Sequence, residues 1–209
     1  MTAKPCRHPI FARVWTRLTP GIERELGQWR RELLTGLRGR VLEIGAGNGM
    51  NFPHYPRAVE EVVALEPEPY LREKAEAAAR SAPVRVTVRD GVAHPLPAQD
   101  DEFDAAVASL VLCSVPDPDQ AVAELRRVVK PGGELRFLEH VRSSRPRKAR
   151  VQGALDRSGV WPRIGGGCHC ARDTVATLER NGFAIDRMRD MDVGPSVVHT
   201  NPHVLGVAR

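Results

Sequence analysis

The sequence predicts an α/β fold: a seven-stranded, mostly parallel sheet with an antiparallel edge strand and helices on both faces. Three observations lead there. Apolar runs at residues 41–44, 61–65 and 103–112 have the composition of strands buried on both faces. They alternate with stretches of helical period at 70–80, 119–129 and 172–181. The first run ends in three alternate glycines, Gly45, Gly47 and Gly49, with a helix expected beyond. A strand, a glycine turn and a helix make a nucleotide-type pocket at the carboxyl edge of a parallel sheet.

Composition narrows the class. The 209 residues fit one domain, 1–209, with a full core, and 42% hydrophobic content argues against disorder. No apolar run reaches a membrane span, and residues 1–10 lack the apolar stretch of a secretory signal, so a cytoplasmic protein is expected. The net charge is +5, but the basic residues are 27 Arg and 4 Lys, scattered except at 142–150, without interleaved aromatics. We therefore expect a small-molecule partner rather than nucleic acid. Cys6, Cys113, Cys168 and Cys170 suggest no disulfide framework. Cys168-His169-Cys170 lacks a second ligand pair at zinc-like spacing, so no metal is expected.

Taken in order, residues 11–18 and 22–37 read as two helices separated by Pro20-Gly21. Strand one follows the turn at 36–39. Asn51-Phe52-Pro53-His54-Tyr55-Pro56 is short and interrupted by proline. Strand two, 61–65, ends in Glu66-Pro67, and an Ala-rich helix covers 70–80. Strand three spans 84–88 and leads to Gly91, Val92 and Ala93. Strand four, 103–112, contains Ser109 and Leu110 and leaves through Cys113-Ser114. A helix at 119–129 stops at Lys130-Pro131-Gly132-Gly133, and strand five covers 134–141. Residues 143–167 look irregular, with a short helix at 149–157. A helix at 172–181 has Asp173 near its N-cap and stops at Gly182. Strands at 184–191 and 203–207 form an antiparallel pair at the sheet edge.

The glycine spacing identifies the ligand class. A dinucleotide site wants glycines at relative positions 1, 3 and 6; here they fall at 1, 3 and 5, with Met50 in the sixth place. Glu43, two residues before the loop, would repel a pyrophosphate. It suits a ligand carrying an ammonium and a sulfonium, as S-adenosylmethionine (SAM) does. Glu66 stands about 20 residues beyond the loop, where a ribose-binding carboxylate belongs.

The run Glu43-Ile44-Gly45-Ala46-Gly47-Asn48-Gly49 resembles motif I of the class I SAM-dependent methyltransferases, whose fold is Rossmann-like. The turn at 128–133 is also similar to theirs. Further segments resemble one family of that class: Asn51-Phe52 with Tyr55-Pro56, residues 110–115, Glu139-His140-Val141, Gly167-Cys168 with Arg172-Asp173-Thr174, and Pro202-His203-Val204. Vertebrate members of this family methylate small thiols, and bacterial relatives are many. The resemblance implies SAM as cofactor, leaving S-adenosylhomocysteine. It implies cofactor contacts from Glu43, Gly45, Ala46, Gly47, Asn51, Glu66, Pro67, Gly91, Val92, Ala93, Ser109 and Leu110. An Asp that in many such enzymes holds the adenine falls at Val92, so either Asp90 reaches in or backbone groups hold the base.

Methyl transfer requires near-attack positioning and exclusion of water. A thiol needs only slight help to ionise, whereas an amine or phenol wants a real base. His140 is the first candidate for acceptor contact or base, equally readable as a structural histidine; His169 is second, and His199 and His203 are weaker. Cys113 reads as packing, because a nucleophilic thiol there would be methylated itself. The expected acceptor is a small thiol. Alternatives are O- or N-methylation of a secondary metabolite or phospholipid headgroup, or a SAM-binding regulator without turnover. A helical cover, 1–38, and the insert at 143–167 should close the pocket, with Phe11, Trp15 and Trp161 as bulk and Gly165-Gly166-Gly167 as a hinge.

Overall fold

In the computed structural model, residues 8–194 and 202–209 are described; Cys6 and His199 lie outside them. The seven strands are β1 (Gly39–Ile44), β2 (Val59–Leu65), β3 (Arg85–Arg89), β4 (Phe103–Ser109), β5 (Val129–His140), β6 (Ile185–Asp192) and β7 (Pro202–Ala208). They form one sheet in the order β3-β2-β1-β4-β5-β7-β6. Strands β3 to β5 run parallel, and β7 lies antiparallel to both β5 and β6. The strand order reverses between β1 and β4, and in such sheets ligands bind outside the carboxyl ends at that point.

Successive strand residues face opposite sides, so each face has its own core. On one, Leu42, Ile44, Ala106, Ala108, Leu135 and Phe137 pack under α3 (Pro118–Val128) and α6 (Thr174–Arg180). On the other, Val41, Val62, Ala105, Val107 and Leu138 pack under α1 (Pro9–Leu34) and α2 (Pro69–Ala79). Two helices start as their sequences dictate: Asp117 accepts from the Gln120 N–H at 3.0 Å, and Asp173 from the Ala176 N–H at 3.0 Å.

Three elements differ from expectation. The two N-terminal helices are one helix of 26 residues that runs through Pro20. Proline removes a single backbone donor, while the apolar stripe of Phe11, Trp15, Leu18, Ile22, Leu26 and Leu33 keeps helical register across it. No α-helix follows the glycine loop. Pro53 and Pro56 leave room only for a 3-10 turn, Phe52–His54. The stretch expected to be irregular is largely helical: α4 (Pro146–Ser158) and α5 (Val160–Ile164) meet at Gly159, which adopts φ 69°.

Candidate active site

A cavity of about 580 Å³ opens at the carboxyl ends of β1, β2 and β4. All twelve residues expected to contact the cofactor line it. Of the two candidate catalytic histidines, His140 lines the cavity; His169 does not. His169 instead anchors its loop, its backbone N–H donating to the Cys113 carbonyl at 2.8 Å. His203 does line the cavity, with its ring 4.4 Å from that of His140.

The glycine loop is built by backbone conformations that side chains resist. Gly45, at φ 61°, lies against Val111, whose side chain a Cβ would strike; Gly47, at φ 59°, faces open space. Gly49, at φ 81°, packs where a Cβ would come within 2.8 Å of Phe52 and 2.9 Å of the Ala78 methyl. Thus the first glycine lets β4's exit approach, the second leaves room for a ligand, and the third lets the 3-10 turn close. Opposite Gly45, Leu110 takes φ 58°, and its N–H donates to Leu138 at 2.7 Å. A left-handed leucine is costly and held only by its surroundings, as at many ligand sites. Gly45→Ala should therefore cost about 2 kcal/mol, from left-handed strain and the collision with Val111 together. Urea unfolding of the variant checks this.

Beside the loop lies a buried polar network. Glu43 Oε1 accepts from Asn51 Nδ2 at 2.8 Å and its Oε2 from the Tyr55 hydroxyl at 2.7 Å. Burial pushes the Glu43 carboxyl up to about 7, against the pull of those hydrogen bonds and of Arg30. Arg30, on α1, is only 4% exposed and donates through Nη1 to Asn51 Oδ1 at 2.8 Å and Ser109 Oγ at 3.2 Å. The Glu66 carboxylate is fixed from both sides: Oε2 accepts from the Gly47 N–H at 2.7 Å and Oε1 from the Glu68 N–H at 2.9 Å. Burial raises its carboxyl pKa, opposed by those two N–H groups. Asp90 does not line the cavity; it turns to Arg72 at 3.0 Å, while Gly91, Val92 and Ala93 lie on the cavity wall.

At the other end, Phe11, Val14, Trp15, Leu18, Trp161 and Ile164 line an apolar wall from α1 and α5. The floor there is Cys113, His140 and Cys168. Both sulfurs approach His140 Nδ1, Cys168 at 3.5 Å and Cys113 at 3.7 Å. The neighbouring Cys168 and burial push the Cys113 thiol up, whereas Cys113 and His140 beside it hold Cys168 below the ordinary thiol range. The buried Glu139 carboxylate accepts from the N–H groups of Val111, Leu112 and Cys113 at 3.0, 2.9 and 3.2 Å, locking β4's exit loop. Arg172 Nη1 reinforces it, donating to the carbonyls of Leu112 and Val115 at 2.7 Å each.

Cys168-His169-Cys170 is not a chelating run. Cys170 turns away, its N–H and Sγ facing Asp156 Oδ1 at 3.1 and 3.5 Å. The described cysteines, Cys113, Cys168 and Cys170, are all free thiols. Among the described residues no helix is long and apolar enough to cross a membrane.

The fold and this cavity define a class. They suit SAM: the buried Glu43 carboxyl and Arg30 guanidinium match its cationic and anionic ends, and open space at Gly47 admits its close approach. The profile of a methyltransferase domain matches residues 42–137. Human thiol S-methyltransferase TMT1B is 32% identical over 98% of this chain and 88% of its own. Phosphatidylethanolamine N-methyltransferase of Cereibacter sphaeroides is 34% identical over 57% of this chain and 59% of its own. A SAM-dependent methyltransferase of Aquifex aeolicus superposes with a TM-score of 0.65 at 19% identity, over 94% and 97% of the two chains. The chain belongs to the class I SAM-dependent methyltransferases, and SAM is its methyl donor.

Proposed function

We propose that this enzyme methylates the sulfur of a small, largely apolar thiol. The observation that carries the reading is the acceptor end of the cavity. Its walls are apolar, and its floor offers His140 and thiols, with the neighbouring buried Glu139 occupied by three backbone donors. A thiol, with a free pKa near 8.5, needs no stronger base than that. The full-length similarity to TMT1B supports it.

SAM supplies a methyl already activated on its sulfonium. The chain's residues then hold, orient and exclude. Glu66 takes the ribose hydroxyls on the lone pairs left beyond Gly47 and Glu68. Gly91, Val92 and Ala93 present backbone groups to the adenine. Glu43, through Asn51, faces the ammonium, and Arg30 faces the carboxylate. Phe11, Trp15 and Trp161 cover the acceptor and keep water out. His140 stands where it can take or share the thiol proton.

A second reading, N-methylation of a phospholipid headgroup, is favoured by exposed apolar residues at the cavity mouth, Val14, Leu18 and Ile164. Measuring SAM consumption with alkyl and aryl thiols, phenols, amines and phosphatidylethanolamine vesicles separates them. Turnover should be highest with the apolar thiols. Turnover confined to the vesicles would replace the thiol by the headgroup.

A further inference from the structure

We propose that Cys113, His140 and Cys168 form a binding site for a thiophilic divalent metal, zinc by its donor chemistry, with an open fourth position facing the acceptor. The metal site stands on the geometry below. Only the role of the fourth position rests on the thiol reading above.

Three elements deliver the donors: the loop leaving β4 brings Cys113, the end of β5 brings His140, and the loop after α5 brings Cys168. Their ligating atoms all lie within 4.8 Å of one another. Zinc binds cysteine sulfur at about 2.3 Å and histidine nitrogen at about 2.0–2.1 Å, so a tetrahedral centre separates S from N by roughly 3.6 Å. The two separations here are 3.5 and 3.7 Å. Both sulfurs converge on the same ring nitrogen, Nδ1. One ring nitrogen has either one proton or one lone pair, so it can complete a direct hydrogen bond with only one of them. A cation between the three satisfies all at once.

The surroundings suit such a site. Two thiolates and an imidazole are a soft set that selects zinc-like ions over magnesium or calcium. Cys113 and Cys168 are 1% and 4% exposed, and the half-buried His140 completes the cavity floor. The outer shell is rigid: Glu139 fixes the backbone of Cys113, and the Cys113 carbonyl accepts from His169 N–H at 2.8 Å. Such second-shell contacts orient ligands and tune affinity. Three protein ligands with one position open is the arrangement of catalytic rather than structural zinc.

In that position an acceptor thiol would bind as its thiolate, releasing its proton to bulk water. Its sulfur lone pair then forms the new S–CH₃ bond while the methyl's bond to the sulfonium breaks, that electron pair remaining on the departing thioether. The neutral methyl thioether is a poor ligand and leaves.

The test uses the reduced full-length protein, stripped with a chelator and titrated anaerobically with Co²⁺, then Zn²⁺. We expect one equivalent of cobalt per chain, with a thiolate-to-cobalt absorption band, displaced by zinc. Cys113→Ser and Cys168→Ser should each abolish or strongly weaken that band while SAM still binds. Cys170→Ser should keep it. Butanethiol should shift the band, and butanol should not. No stoichiometric metal in protein with all thiols reduced would overturn the site. Loss in Cys170→Ser with retention in Cys113→Ser would overturn this ligand set. A band indifferent to butanethiol would overturn the acceptor role. The two readings fail separately: full-rate thiol methylation by metal-free protein removes the metal's role and leaves the thiol, whereas bound cobalt with no thiol methylated does the reverse.

Discussion

Glu66→Ala should weaken SAM binding about a hundredfold, equivalent to roughly 2.7 kcal/mol. Hydrogen bonds to a charged group contribute about 1.5–3 kcal/mol each, and the ribose offers two hydroxyls. The carboxylate also ties Gly47 to Glu68, so its removal loosens the loop as well as deleting the contact. Glu66→Gln keeps the shape and one oxygen acceptor, and should lie between the two. Calorimetry measures all three proteins, with thermal unfolding as a control on the fold. Affinity unchanged in Glu66→Ala would take Glu66 out of the ribose site.

SAM affinity should rise about fiftyfold between pH 5 and pH 7. Glu43 titrates near 7 in the ligand-free protein, because burial disfavours its charge. Below that pH, binding a cationic ammonium must first expel a proton, which costs a factor of ten per unit. Above about 8 the ligand's own α-amine begins to lose its charge, so the profile should be bell-shaped. Stability moves oppositely. A carboxyl whose folded pKa exceeds its unfolded value contributes fully below the unfolded pKa of 4.5, and that contribution is lost as pH rises through about 7. The ligand-free protein should therefore lose up to about 3 kcal/mol from this group between pH 4.5 and 8. Glu43→Gln should flatten both the acid-side rise in affinity and this fall in ligand-free stability. Calorimetry in buffers of differing ionisation enthalpy counts the proton released on binding; a count of zero at pH 6 would exclude Glu43 from the role.

What the sequence made legible was encoded locally. The glycine loop could be read because Gly45, Gly47 and Gly49 each occupy a left-handed conformation that few other residues tolerate. The place of Glu66 on the cavity wall could be read because a fixed strand length separates it from that loop. The failures come from contacts distant in sequence. Arg30 is one of 27 arginines, and nothing local marks it as the one that reaches Asn51 and Ser109. Glu139 stood out only as part of a motif; its work on three N–H groups of a loop 26–28 residues earlier is visible only in three dimensions. The Cys113, His140 and Cys168 cluster is hidden for the same reason, while the adjacent Cys168 and Cys170 drew attention and point apart. At Pro20 a local rule misled, because the stripe of apolar contacts outweighs one missing hydrogen bond.

That unbroken helix makes the two ends of the cavity mechanically one. Phe11 and Trp15 line one end of it, and Arg30, four turns along the same rod, reaches Asn51 and Ser109 at the other. The rung missing at Pro20 sets where the rod can flex, without cutting it. Thermodynamic reciprocity makes any coupling carried along this helix equal in both directions. Donor and acceptor sites that share one lever cannot be tuned separately by substitutions along it.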